Sequence, residues 1–155
     1  MDREQIALEL TLAGRMALAA LFGFLIGLER ESRGKSAGER TFAIVALAAA
    51  GLSGLAFTMF PETAGQAVAG VATGIGFLGI GIIWRAEEGQ TRGLTTAASI
   101  LGVAAIGAVT GIGLYLTAVV GTIVVLVLLE FDHIPGLTNL HRRFSRSGEG
   151  VDDPD

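Results

Sequence analysis

The chain contains no cysteine, which excludes disulfides, thiolate catalysis and cysteine-based metal sites. Histidine is nearly as scarce: His133 and His141 are the only two, and both follow the last apolar block. Their position reads as interfacial or solvent-exposed, with a metal pair as the alternative; which metal, if any, stays unknown, and no cofactor is implied. Charge is short as well. Asp, Glu, Lys and Arg make up 17% of the residues, against roughly a quarter in a soluble domain. The net charge of -4 owes much to Asp2, Glu4, Glu9 and the acids of 149–155, so no basic footprint for nucleic acid is present.

What the sequence has instead is apolar blocks of bilayer length. About 20 apolar residues at 1.5 Å rise cross a hydrocarbon core of roughly 30 Å. Blocks run over 14–28 (extendable upstream to Ile6), 41–60, 66–84 and 94–129. The last would reach about 54 Å as one helix, so it must be two, with Thr110-Gly111-Ile112-Gly113 as the turn. The runs lack the polar-apolar alternation of a membrane barrel. Acids at Asp2, Glu4 and Glu9, and the absence of a small-residue cleavage site after Leu28, argue against a cleaved leader. The expected fold is therefore all-α, a polytopic transmembrane bundle of five spanning helices over 1–134. Residues 135–155 are expected to form a short cytoplasmic tail, largely disordered beyond a brief interfacial helix at 137–144.

Bases of short loops accumulate on the cytoplasmic side. Arg30, Arg33, Lys35 and Arg40 follow the first block, Arg85 and Arg92 the third, and Arg142, Arg143 and Arg146 the last; the intervening loops carry none. The alternation puts the N-terminus outside and the C-terminus in the cytoplasm, with Trp84 and Tyr115 near opposite interfaces. Arg15, inside the first block, is expected to snorkel to the outer interface.

Three local patterns stand out. Gly74-Ile75-Gly76-Phe77-Leu78-Gly79 matches a dinucleotide-binding fingerprint in form, but lies in an apolar span without the required strand or ribose-binding acid. Together with Gly70 and Gly81 it reads as small-xxx-small helix packing, either within the chain, across a homodimer seam, or along a thin-walled pathway. On the first of these, leucine at Gly74 or Gly76 should harm folding more than leucine at Gly121. The second pattern is Gly23-xxx-Gly27-Leu28-Glu29-Arg30-Glu31, continuing through Ala37-Gly38-Glu39-Arg40-Thr41. Its bases serve as a topology anchor, and Glu29 beside an apolar run is expected to pair with Arg40. The third is Arg92-Gly93-Leu94-Thr95-Thr96-Ala97-Ala98-Ser99, a helix start whose hydroxyls cap the first turn. Alternatively its exposed amides, with Arg92, hold an anion or an acidic side chain such as Glu29.

In these three blocks the sequence resembles the MgtC/SapB family of membrane proteins, over about residues 10–130. Ile80 and Leu101 stand where the family pattern has alanine and tryptophan. The resemblance implies a short member, membrane domain only, in the bacterial plasma membrane and linked to magnesium homeostasis. It implies a regulatory or scaffold role whose partners are membrane lipids and another membrane protein or itself; the alternative is a transporter of Mg²⁺ or another small solute. A Mg²⁺ conduit should place carboxylates or carbonyl rings at membrane depth, and helices two to five carry no deep carboxylate. An intramembrane enzyme fits least, since Glu29, Thr95 and Ser99 bring no histidine base. Candidate binding or structural residues are Glu29, Arg30, Arg40, Arg92, Thr95 and Thr96, with Gly70, Gly74, Gly76, Gly79 and Gly81 for helix packing.

Overall fold

The computed structural model describes residues 2–84 and 93–130. Arg92, the side chain of Trp84, both histidines and the expected tail over 135–155 lie outside the described residues. The described chain is all helical: α1 (Arg3–Ser32), α2 (Glu39–Met59), a 3-10 turn (Pro61–Thr63), α3 (Ala64–Trp84), α4 (Leu94–Gly111) and α5 (Tyr115–Glu130). α1 to α4 are each long and apolar enough to cross a membrane. α5, at 16 residues, is shorter, about 24 Å of helix. This is a polytopic membrane bundle with four to five long apolar helices.

Local chemistry explains where the helices stop. At the end of α1, Gly34 takes φ 63°, and the Lys35 amide donates to the Arg30 carbonyl at 3.1 Å. That closing bond with a left-handed residue inside it is the usual glycine stop of a helix, and a side chain would be strained there. The expected turn after α4 is built the same way. Gly113 takes φ 96° and the Leu114 amide reaches the Val109 carbonyl at 2.9 Å. α2 ends where Pro61 bars the preceding residue from helical geometry.

The core lies among α1, α2 and α4, where glycines let backbones meet. A Cβ on Gly23 would come within 2.9 Å of the Ala46 Cβ, and one on Gly27 within 2.8 Å of the Glu39 nitrogen. From α4, a Cβ on Gly107 would lie 2.9 Å from the Ala46 Cα, and one on Gly111 2.8 Å from the Ala50 Cα. Ile26, Phe42, Ile100 and Val103 fill the remaining space and are fully buried. Lipid tails are as apolar as leucine, so close approach, not hydrophobicity, must hold such a seam together.

The expectation that the α3 glycines pack within the chain needs correction at Gly70, Gly74, Gly76 and Gly81, while Gly79 is buried against Ala97 of α4. Additional Cβ atoms on Gly70, Gly74, Gly76 and Gly81 would meet nothing within 4 Å, and one on Gly79 only the Ala97 Cβ at an ordinary 3.5 Å. The reason is rotational. α3 packs through Val71, Ile75 and Ile82, with Gly79 in register between them. Gly70, Gly74 and Gly81, one position before those residues, and Gly76, one after, are turned by about 100° to either side. α3 is an edge helix, with 6% of its apolar window buried against 56% for α4.

Arg15, expected to snorkel, reaches the end of the bundle where α4 turns into α5. Its guanidinium donates to the Gly111 carbonyl at 3.0 Å and to the Tyr115 hydroxyl at 3.2 Å, satisfying a carbonyl at the C-terminal end of α4. The Arg15 end therefore gathers the start of α1, the end of α4 and the start of α5. The opposite end gathers the last turn of α1 and the starts of α2 and α4. Single cysteines at Glu62 and Ser36, both exposed, should consequently label from opposite sides of an intact cell, Glu62 from outside. Labelling of both from one side would break the topology.

Candidate functional site

The polar groups concentrate where α1 ends and α4 begins. Arg30 occupies the last turn of α1 and is 4% exposed; Thr96, also 4% exposed, sits in the first turn of α4. An Arg30 Nη2 donates to the Thr96 hydroxyl at 2.6 Å. This contact ties α1 to α4 across a sequence separation of 66. Burial of a guanidinium is tolerable only where partners replace its hydration, and the Thr96 hydroxyl supplies one of them.

The expected Glu29–Arg40 pair does not form. Glu29 pairs instead with Arg33, one turn along the same helix, and Arg33 also reaches Glu130 at the end of α5. Arg40 has a side chain 92% exposed and stands 3.8 Å from its neighbour Glu39. The physical cause is proximity: on a helix, residues four apart already face each other, whereas Arg40 lies on the outward face of α2. Glu31, which sequence reasoning assigned no role, accepts the Glu39 amide at 3.4 Å at the start of α2. Any Cβ at Gly38 would collide with that carboxylate. The only signal was an acid preceding an unprotected helix start.

α4 begins on Gly93 at φ 101°, and its first intrahelical bond runs from the Ala97 amide to the Gly93 carbonyl at 2.8 Å. The amides of residues 94–96 precede that bond and have no partner within the helix. Between this helix start and the end of α1 lies a pocket of about 530 Å³. Arg30, Arg33, Lys35, Ser36, Thr95 and Thr96 form its polar lining, and Leu128 and Leu129 of α5 its apolar wall. No carboxylate lines it among the described residues. Sequence reasoning thus named Arg30, Thr95 and Thr96, which the fold brings together. Arg33, Lys35 and Ser36 line the pocket without being candidates from sequence, and Arg40, a candidate, is turned away from it.

Ser99, Thr110 and Thr122 donate to the carbonyls four residues earlier, at 2.6, 2.6 and 2.8 Å, whereas the buried Ser53 hydroxyl of α2 has no hydrogen-bond partner among the described residues. Among the described residues no group of three or more His, Asp or Glu could hold a metal ion. A second cavity of about 480 Å³, between α2 and α3, is almost wholly apolar.

Comparison with known proteins places these features in a family context. The family model described as MgtC family matches residues 16–134. Protein SrpB of Synechococcus elongatus is 40% identical over an alignment covering 88% of this chain and 84% of the relative. Protein MgtC of Salmonella typhimurium is 44% identical over 70% of this chain, but the aligned part is 46% of that relative. Protein SapB of Bacillus subtilis is 32% identical over 76% of this chain and 54% of its own length. The chain thus spans about half the length of the MgtC and SapB relatives. No solved structure matches it.

Proposed function

The chain belongs to the MgtC family, and from that membership we propose that it serves low-magnesium adaptation as a regulator or scaffold of other membrane proteins. It is a multi-pass protein of the bacterial inner membrane, not an enzyme. Its general link to magnesium is supported by a family relative named "Putative magnesium transporter YhiD" of Escherichia coli, 38% identical over 77% of this chain. In our reading it spans five times, with the N-terminus outside, the basic loops and C-terminus cytoplasmic, and the pocket on the cytoplasmic face. Membrane lipids surround it, and its protein partner is another membrane protein or a second copy of itself.

The observation that carries this reading is the chemistry of the bundle interior. Mg²⁺ requires oxygen ligands and gives up its waters reluctantly. Segments 41–60, 64–84 and 94–129 hold no Asp or Glu. The buried hydroxyls of Thr110 and Thr122 are committed to their own helices. The α1–α2–α4 seam is closed by backbone contact, which leaves no room there for a hydrated ion. The second reading, a transporter, would have to route its solute along the outward glycines of α3 between copies. Purified protein in liposomes carrying an internal Mg²⁺ indicator distinguishes the two. The expected uptake equals that of protein-free vesicles; saturable, protein-dependent uptake would favour transport.

A further inference from the structure

We propose that the pocket between the end of α1 and the start of α4 binds the phosphate group of an organic anion. Lys35, Arg30 and the Thr95–Thr96 helix start would hold the phosphate, with Leu128 and Leu129 against the organic part.

The first support is the sign of the lining. Among the described residues the charged groups of the lining are all bases, Arg30, Arg33 and Lys35; Arg33 pairs with Glu29 and Glu130, whose carboxylates lie outside the lining. The second is the relation of the buried Arg30 to α4. A helix start carries a partial positive charge, and Arg30 is held against it through Thr96. Guanidinium and helix start therefore bring positive charge to the same edge of the pocket. A phosphate beside them would be attracted by both, and would accept hydrogen bonds from helix-start amides and the hydroxyl of Thr95. The third is size and shape. About 530 Å³ falls in the usual range for small-molecule sites and far exceeds a lone phosphate. The apolar wall at Leu128 and Leu129 faces the polar one, so a ligand with an anionic head and a less polar body suits both.

Two sources share this chemistry: an anionic phospholipid entering from the inner leaflet, and a soluble phosphate ester from the cytoplasm. Neither depends on whether the protein regulates or transports, so failure here would leave the functional reading untouched. Calorimetric titration of the purified full chain in neutral detergent separates them. The probes are glycerol 3-phosphate and short-chain phosphatidylglycerol, with a chain-matched diacylglycerol as neutral control. At least one phosphate probe is expected to bind with a Kd below about 1 mM, and Lys35→Glu should weaken it about tenfold. Arg40→Glu makes the same charge change five residues on, in the first turn of α2 and outside the pocket, and should leave the Kd within about twofold. Thermal unfolding of both variants establishes that they are folded. Binding of glycerol 3-phosphate supports the site with a soluble ligand; binding of phosphatidylglycerol alone supports it with a lipid. Binding of neither beyond the control, or equal effects of Lys35→Glu and Arg40→Glu, would overturn the proposal.

Discussion

Gly111→Leu is expected to remove most of the folded protein recovered in detergent, while Gly74→Leu leaves the yield near wild type. At Gly111 even a single added carbon runs into the Ala50 backbone, and Gly107 meets Ala46 in the same way one turn earlier. A leucine there can be accommodated only by parting α2 from α4. Overpacking a well-packed site costs about 1 to 3 kcal/mol when side chains can yield, and more when backbone is the obstacle. Against a total stability of about 5 to 15 kcal/mol that is a severe loss. A Cβ at Gly74 meets nothing within 4 Å, and the rest of a leucine there has room in the apolar cavity of about 480 Å³ that Gly74 lines between α2 and α3. Size-exclusion recovery of the monodisperse protein reads the difference. Equal loss at both positions would mean that α3 is packed by a contact which a single chain does not contain.

Thr96→Val, close in shape to threonine, is expected to destabilise the protein by about 1 to 3 kcal/mol, because it withdraws the acceptor from a buried, charged donor. Arg30→Ala should cost more, about 3 to 5 kcal/mol, as it removes both the bond and the packed stem. In the double variant the two losses should not add, since each single change already breaks the same contact. Arg40→Gln, at an exposed position, should stay within about 0.5 kcal/mol of wild type. Denaturant titration of the four proteins in one detergent tests this. Additive losses at Arg30 and Thr96, or an Arg40 effect of similar size, would contradict the contact.

The contrast between Arg30 and Arg40 shows what the sequence could and could not convey. Block boundaries were legible because length and charge punctuate them: the block read as 41–60 is α2 at Glu39–Met59, and the uncharged run over 94–129 divides at its glycine turn. The rotation of each helix was not legible. Segments apolar all round have no 3.6-residue stripe to reveal the buried side. The glycine-rich run of α3 therefore drew the packing assignment, although Gly107-xxx-Gly111 in α4 makes the tight contact. The same gap hid which loop base turns inward. Arg30 and Arg40 are equivalent in a count of positive charges, and only the helix stop at Gly34 sets the last turn of α1 against α4. Glu29 beside an apolar run calls for a cation, and Arg33 one turn along its own helix supplies it where the outward Arg40 does not.

Side-chain contacts that join different helices, Arg30 with Thr96, Arg33 with Glu130 and Glu31 with the start of α2, gather at one end of the bundle. The proposal to test is that this end carries the function. Growth under magnesium limitation tests it most directly, in a strain lacking the native protein and expressing variants at matched membrane levels. Lys35→Glu is expected to fail to restore growth, while Arg40→Glu, the same charge change outside the pocket, restores it to the wild-type rate. Full restoration by Lys35→Glu, or failure of both variants alike, would contradict the assignment of function to the pocket.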